Sequence, residues 1–343
     1  MSTNTKEITV NIVSETPFYP KGHGVHTAFL EMIEAYKKLG ISVLVNSDQK
    51  SDITHCHTIG LFSLKKIRKN KGKVTISAHV IPDSFVGSLI GAKAWLPLAK
   101  MYLKFFYNQA KVIIAVSPQV QKELSDWKLK GTVHYIPNAV NMDKFKKDEK
   151  AGLVVRKKMG ISSSDFVVIN TGQIQPRKGI KTFIETAKKI PDIKFVWAGG
   201  IPMKRFASNY KEMTEIQKNP PKNMIFAGNV PYEEIPAFYS AADVFFFPSY
   251  QENFPYSVIE AGASGLPLVM RDLKIYKPIY FEHVIKGDDN SFSKIIKKLK
   301  ENDNYYQGWS KEAIRLAQRY ESIKTAKKFL EIYKKEILKN EKA

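Results

Sequence analysis

Short runs of consecutive apolar residues recur along this chain, each closed by a polar or glycine-bearing turn. Ile8–Ser14, Ile41–Val45, Ile53–His57, Val74–His79, Val112–Val116 and Thr132–Ile136 read as strands of a first half. Unbroken rather than alternating hydrophobicity is what a strand covered on both faces requires. Between the first two, Val25–Leu39 carries Phe29, Leu30, Ile33 and Tyr36 at helical spacing. The stretch Asp143–Ser164, rich in Lys, Asp and Ser, reads as a linker with a short helix. A second series follows: strand Phe166–Asn170, helix Ile180–Lys189, strands Lys194–Ala198 and Met224–Ala227, helix Ile235–Ala241, strand Val244–Phe247. Strands alternating with helices predict an α/β fold with parallel sheets. Two such Rossmann-like series put a ligand cleft at the C-terminal ends of the strands. A last helix, Tyr320–Leu338, shows Ile323, Ala326, Phe329, Leu330 and Tyr333 on one face and must pack on something.

Composition sharpens this picture. At 343 residues the chain is longer than one ordinary core, which predicts two domains. With 43% hydrophobic residues it can bury both. Its single cysteine, Cys56, excludes an internal disulfide framework and fits a reducing compartment. Neither a signal segment nor an apolar run near eighteen residues stands out, so a cytoplasmic location is expected. The 54 basic and 33 acidic residues leave a net charge of +21, which implies an anionic partner surface, either nucleic acid or membrane, or else simple solubility. The excess is local. Between Lys65 and Lys111 stand Lys65, Lys66, Arg68, Lys69, Lys71, Lys73, Lys93, Lys100, Lys104 and Lys111 against one acid, Asp83.

Candidate chemistry lies at strand ends. After Val244–Phe247 comes Gln251-Glu252-Asn253-Phe254-Pro255-Tyr256-Ser257-Val258-Ile259-Glu260, opening a helix that ends at Gly265. Glu252 and Glu260 stand about two helical turns apart, so both can reach one cleft. After Phe166–Asn170 comes Thr171-Gly172-Gln173-Ile174-Gln175-Pro176-Arg177-Lys178-Gly179. There Arg177 and Lys178 can neutralise a diphosphate, and glycine permits close backbone approach. Lys21-Gly22-His23-Gly24-Val25-His26 fills the first strand-to-helix turn, where His23 and His26 read as local polar groups rather than metal ligands. His79 closes a first-half strand, and Ser117 and Asn138 close two more.

The order of these segments resembles the retaining family-4 glycosyltransferases, whose E-x7-E motif matches Glu252 and Glu260. The resemblance runs from Glu15 to Tyr333. It implies a GT-B fold, with two Rossmann-like domains whose parallel sheets face across a cleft. Domain one would be 1–148, acceptor- and membrane-binding and joined by the returning helix 318–343, and domain two 149–317 would bind the nucleotide sugar. It implies a UDP-hexose as co-substrate, with Arg177 and Lys178 on the diphosphate and Glu260 on the ribose. Glu252 and His79 would lie on the donor sugar, with Gly24, Gly172, Asn253 and Phe254 lining the donor site. The family's usual arginine after the first glycine is Gln173 here, and Arg177 would take its place. No cofactor and no metal are implied, since fixed cations would carry the phosphate charge. The match looks nearest to bacterial enzymes that add a second hexose to glucosyldiacylglycerol. Alternatives are a capsule or teichoic-acid glycosyltransferase, or a catalytically silent nucleic-acid-binding relative. Physics points to lipid as the partner rather than nucleic acid, for which no zinc-ligand set or RNA-binding motif is visible. The run Lys93–Tyr107 interleaves lysines with Trp95, Leu96, Leu98, Tyr102, Phe105 and Phe106, as an interfacial segment does, the alternative being a core helix with snorkelling lysines. With Lys65, Lys66, Arg68, Lys69, Lys93, Lys100 and Lys104 it forms the expected membrane-binding surface, on the inner face of the cell membrane.

Overall fold

The computed structural model describes residues 8–18, 24–70, 72–85, 92–201 and 209–338. Gly22, His23, Lys71 and positions 86–88 lie outside the described residues. Among those described, the apolar runs become two six-stranded sheets in which every pairing is parallel. The first contains β1 (Thr9–Val13), β2 (Ser42–Val45), β3 (Ile53–Cys56), β4 (Val74–Ala78), β5 (Val112–Ala115) and β6 (Thr132–Tyr135). Its order is β2-β1-β3-β4-β5-β6. The second contains β7 (Val167–Thr171), β8 (Lys194–Ala198), β9 (Met224–Gly228), β10 (Val244–Phe247), β11 (Leu268–Arg271) and β12 (Ile285–Gly287). Its order is β12-β11-β10-β7-β8-β9. In each sheet growth switches to the other side of the first strand, after β2 in one and after β9 in the other, which opens a crevice beside β1 and β7 at the C-terminal strand ends.

Helices cover the first sheet: α1 (Gly24–Lys38), α2 (Leu61–Lys69), α3 (Ala92–Tyr107) and α4 (Pro118–Ser125). The linker holds α5 (Glu149–Lys158). Around the second sheet lie α6 (Ile180–Lys189), α7 (Tyr210–Lys218), α8 (Ile235–Ser240), α9 (Tyr256–Ala263), α10 (Phe292–Glu301) and α11 (Asp303–Arg319). The chain ends with α12 (Ser322–Ile332) and a wider π turn, Tyr333–Leu338.

Burial on both faces is plain at β10. Phe245 and Phe247 point to one core with Tyr239, while Phe246 points to the other and packs on Phe183 and Phe292. Ser117 earns its place structurally. Its hydroxyl accepts the Val120 N–H at 3.2 Å and caps α4 ahead of Pro118. The last helix packs back on the first half, where Ala326, Phe329 and Tyr333 share a core with Val10, Ile12, Phe29 and Tyr36. It is fixed there by a parallel bridge. Val140 N–H donates to Tyr320 at 2.8 Å, and Ser322 N–H donates to the Val140 carbonyl at 2.9 Å. The single long helix expected to Leu338 instead widens at Tyr333, whose hydroxyl meets those of Tyr36 and the His55 ring.

Candidate functional site

The turn after β7 is shaped by glycine. Gly172 sits at φ 148° and Gly179 at φ 76°, and a β-carbon on Gly179 would strike the Pro248 carbonyl at the end of β10. That close approach docks the Gln175–Gly179 turn on the loop carrying Glu252. There Lys178 Nζ pairs with Glu252 Oε1, Arg177 Nη1 lies 3.1 Å from the same oxygen, and the Ser249 hydroxyl donates to it at 3.2 Å. Arg177 also donates to the Gln251 carbonyl at 3.0 Å. Burial alone would push Glu252 up, but Lys178 and Arg177 outweigh it and hold the carboxyl below its usual range. Burial pulls Lys178 below the ordinary lysine range against the pull of Glu252. Two cations on one carboxylate keep the group ionic and leave it one positive charge in excess.

This cluster faces the first half directly. Asn253 Nδ2 donates to the His79 carbonyl at 3.3 Å and lies 3.1 Å from the Ser84 hydroxyl. Asn138 Nδ2 donates to the Phe254 carbonyl at 2.9 Å. Gly24, at the start of α1, stands so close to Tyr256 that a β-carbon would meet its ring at 3.4 Å. The N-termini of α1, α6 and α9 therefore surround the place where the two sheets meet, and such ends attract anions. The structure thus brings Gly24, His79, Gly172, Arg177, Lys178, Glu252 and Asn253 to one crevice. Phe254 enters it by its backbone only. Its ring is buried against Tyr280 and Tyr320, at centroid distances of 5.5 and 5.1 Å.

Glu260 lies one layer deeper, on α9. It is 5% exposed and accepts the Tyr239 hydroxyl at 3.0 Å. Burial raises its carboxyl to about 8, with the Glu31 carboxyl adding to the rise. Glu31 of α1, raised by burial to about 7, accepts the Tyr232 hydroxyl at 2.9 Å. The bond between Tyr232 and Glu31 joins the halves of the molecule, and sequence reasoning missed Glu31, Tyr232 and Tyr239. Glu31 also lines a cavity of about 40 Å³ with His57, His79, Asn138 and Tyr256, room for a few waters.

Both halves match family models: residues 10–144 match glycosyltransferase family 4, and residues 154–316 match glycosyl transferases group 1. The alpha-galactosylglucosyldiacylglycerol synthase of Streptococcus pneumoniae is 33% identical over 281 residues, 80% of this chain and 75% of that protein. The chain belongs to glycosyltransferase family 4. A second relative, the processive diacylglycerol alpha-glucosyltransferase of Acholeplasma laidlawii, is 31% identical across 82% of this chain and 85% of its own. Among solved structures, Anabaena HepE in complex with UDP and glucose superposes with a TM-score of 0.72 at 15% identity, covering 94% of this chain and 98% of HepE. Sucrose-phosphate synthase from Thermosynechococcus elongatus gives 0.73 at 18% identity, covering 96% and 98%. The two parallel sheets of this family-4 enzyme are those of the GT-B fold.

The enzyme's basic segment differs in detail from expectation. Phe106 is fully buried beside Leu103 and Tyr107, so it is core and not part of an outer surface. Helical register explains this: Leu98, Met101, Tyr102 and Phe105 share the outer face at three- and four-residue steps and are exposed. Trp95 is half-buried. Lys93 falls in the first turn of α3. Lys65, Arg68, Lys69, Lys100 and Lys104 are exposed, Lys69 pairing with Asp48 at 2.8 Å, whereas Lys66 is half-buried, pairing with the same carboxylate at 2.8 Å and lying over the Phe62 ring. Leu61 and Phe18, both largely exposed, extend the apolar surface to the start of α2. Among the described residues, no helix is long and apolar enough to cross a membrane.

Proposed function

We propose that this family-4 enzyme moves a hexose, galactose or glucose, from a UDP-sugar to glucosyldiacylglycerol, with retention at the anomeric carbon. The product is a diglycosyl diacylglycerol. The observation that carries the reading is the convergence of Lys178, Arg177 and Glu252 opposite His79, at the facing ends of the two sheets. The two diacylglycerol-modifying relatives support the choice of acceptor.

In the proposed reaction Lys178 and Arg177 turn from Glu252 to the donor diphosphate, and Glu252 takes hexose hydroxyls. As the glycosidic C–O bond breaks, charge grows on the departing phosphate, and preorganised cations in a water-poor crevice stabilise it. The acceptor hydroxyl attacks the oxocarbenium-like carbon from the same face and gives its proton to the phosphate oxygen. Arg177 and Lys178 carry the role that a metal ion has in other transferases, so the proposed reaction needs no metal and no cofactor. Glu260, protonated near neutral pH, can donate as well as accept toward a ribose hydroxyl.

The enzyme would work peripherally on the cytoplasmic face of the membrane. There the stripe Leu98, Met101, Tyr102 and Phe105 enters the headgroup boundary, and Lys65, Arg68, Lys69, Lys100 and Lys104 meet anionic lipid. The deciding experiment presents radiolabelled UDP-galactose and UDP-glucose with glucosyldiacylglycerol in mixed micelles. Transfer to the lipid, and UDP release that soluble saccharides do not elicit, is the expected result. Turnover on soluble saccharide alone would refute the assignment.

A further inference from the structure

Three histidines stack behind the crevice. His55 and His57 lie 4.8 Å apart between ring centroids, and His57 and His79 lie 5.4 Å apart, with ring planes inclined by 21° and 20°. His55 and His57 share one face of the β3 strand line, and His79 follows β4. Burial pushes all three well below the ordinary histidine range, His55 to about 3 and His79 to about 4. Each ring is therefore neutral at pH 7, with one N–H donor and one bare acceptor nitrogen.

The contacts decide which nitrogen is which. His57 Nδ1 faces His79 Nε2 at 3.2 Å, so one proton must lie between them. The other nitrogen of His57, Nε2, lies 3.4 Å from the Met32 sulfur. Sulfur accepts an N–H weakly, whereas it repels a second lone pair. His57 thus carries its proton on Nε2, toward Met32. Its Nδ1 must then accept, and His79 must donate from Nε2. His55 is ordered by the same logic: Tyr333 supplies its hydroxyl to Nδ1 after accepting from Tyr36, and Nε2 donates to the Ser77 hydroxyl at 2.8 Å.

We propose that His57 is a positioning residue that fixes the tautomer of His79, so that His79 offers the donor sugar a bare Nδ1 acceptor. The inference rests on the reading that His79 touches the donor hexose. It adds a specificity rule: the hexose hydroxyl at His79 donates a hydrogen bond there and does not receive one. His57 never meets the substrate.

The test uses the full chain. In ¹⁵N-labelled wild-type protein, two-bond proton–nitrogen correlations at pH 7 should show His79 protonated on Nε2. His57→Phe keeps the stacked ring and removes the acceptor, and His57→Asn restores an acceptor oxygen near the Nδ1 position. The Phe variant should show mixed tautomers at His79 and lose turnover by about tenfold, the worth of one hydrogen bond, with donor KM little changed. The Asn variant should recover both tautomer and rate. Circular dichroism confirms that each variant is folded. A His79 protonated on Nδ1 in the wild type overturns the proposal, and that result needs no variant. So does a Phe variant with wild-type turnover, whatever its tautomer. The spectra stand apart from catalysis: absence of glycolipid-dependent UDP release in the wild type would refute the hexosyl-transfer reading and leave the tautomer assignment to the spectra.

Discussion

Replacing Leu98, Met101 and Phe105 together by serine should detach the enzyme from vesicles without harming its fold. These side chains are 64%, 66% and 46% exposed on the outer face of α3, so they contribute little to the core. Fully burying such a side chain is worth about 1.5–3 kcal/mol, and the exposed fraction of each scales this to about 1–2 kcal/mol gained on entering the headgroup boundary. The three sum to roughly 3–5 kcal/mol, or about two to four decades of partition coefficient. The lysines alone would then hold the variant, and that attraction is screened within about 8 Å at physiological salt. Co-sedimentation with vesicles containing anionic lipid measures it. The wild type should keep a salt-resistant fraction, whereas the triple variant should bind only at low salt. Phe106→Ala supplies the contrast. With its ring wholly buried it should lose about 3–5 kcal/mol of stability, and vesicle affinity per folded molecule should hold. Unchanged salt-resistant binding by the triple variant would refute the docking face.

Three further outcomes are expected. Glu252→Ala and Lys178→Ala should each lower turnover more than tenfold with circular dichroism unchanged, and near-wild-type rates in either would remove that residue from the site. EDTA should leave turnover largely intact, because Arg177 and Lys178 carry the diphosphate charge, and a strict demand for added divalent metal would overturn that step. Burial raises the carboxyl of Glu260 to about 8, above the ordinary glutamate value of 4.5, so the native state holds this proton longer than the unfolded chain. Its contribution to stability is full below about pH 4.5 and is lost as pH rises toward 8. Glu260→Gln should remove that decline, so the difference in Tm between variant and wild type should grow from pH 5 to pH 8, and parallel curves would contradict it.

The strands were legible because a doubly covered strand has no polar face to interrupt it, as in Val112–Ala115 and Val244–Phe247. Elements whose stability comes from neighbours were not. Ile285–Gly287 is too short to show a pattern, and α2 reads as a charge run because its inward positions are chiefly Leu64 and Ile67. The site divides the same way. Glu252, Lys178 and Arg177 stand at turns whose chemistry is local. Glu31 and Glu260 meet only through tertiary structure. His57 had a signal, a second histidine two residues after His55 on a buried strand, but its worth appears only beside Met32 and His79. Phe105 and Phe106 could be told apart by helical register alone.

The bridge between Val140 and Glu321 places the chain's exit from the first half beside its re-entry. Residues 141–320 are thereby tied to the first half by two adjoining stretches of backbone, in addition to the side-chain bonds that cross the crevice. Were one half to turn about Val140, a few degrees of swing would give the largest displacement at the far rim of the crevice. The contact of Asn138 with the Phe254 carbonyl would then move least.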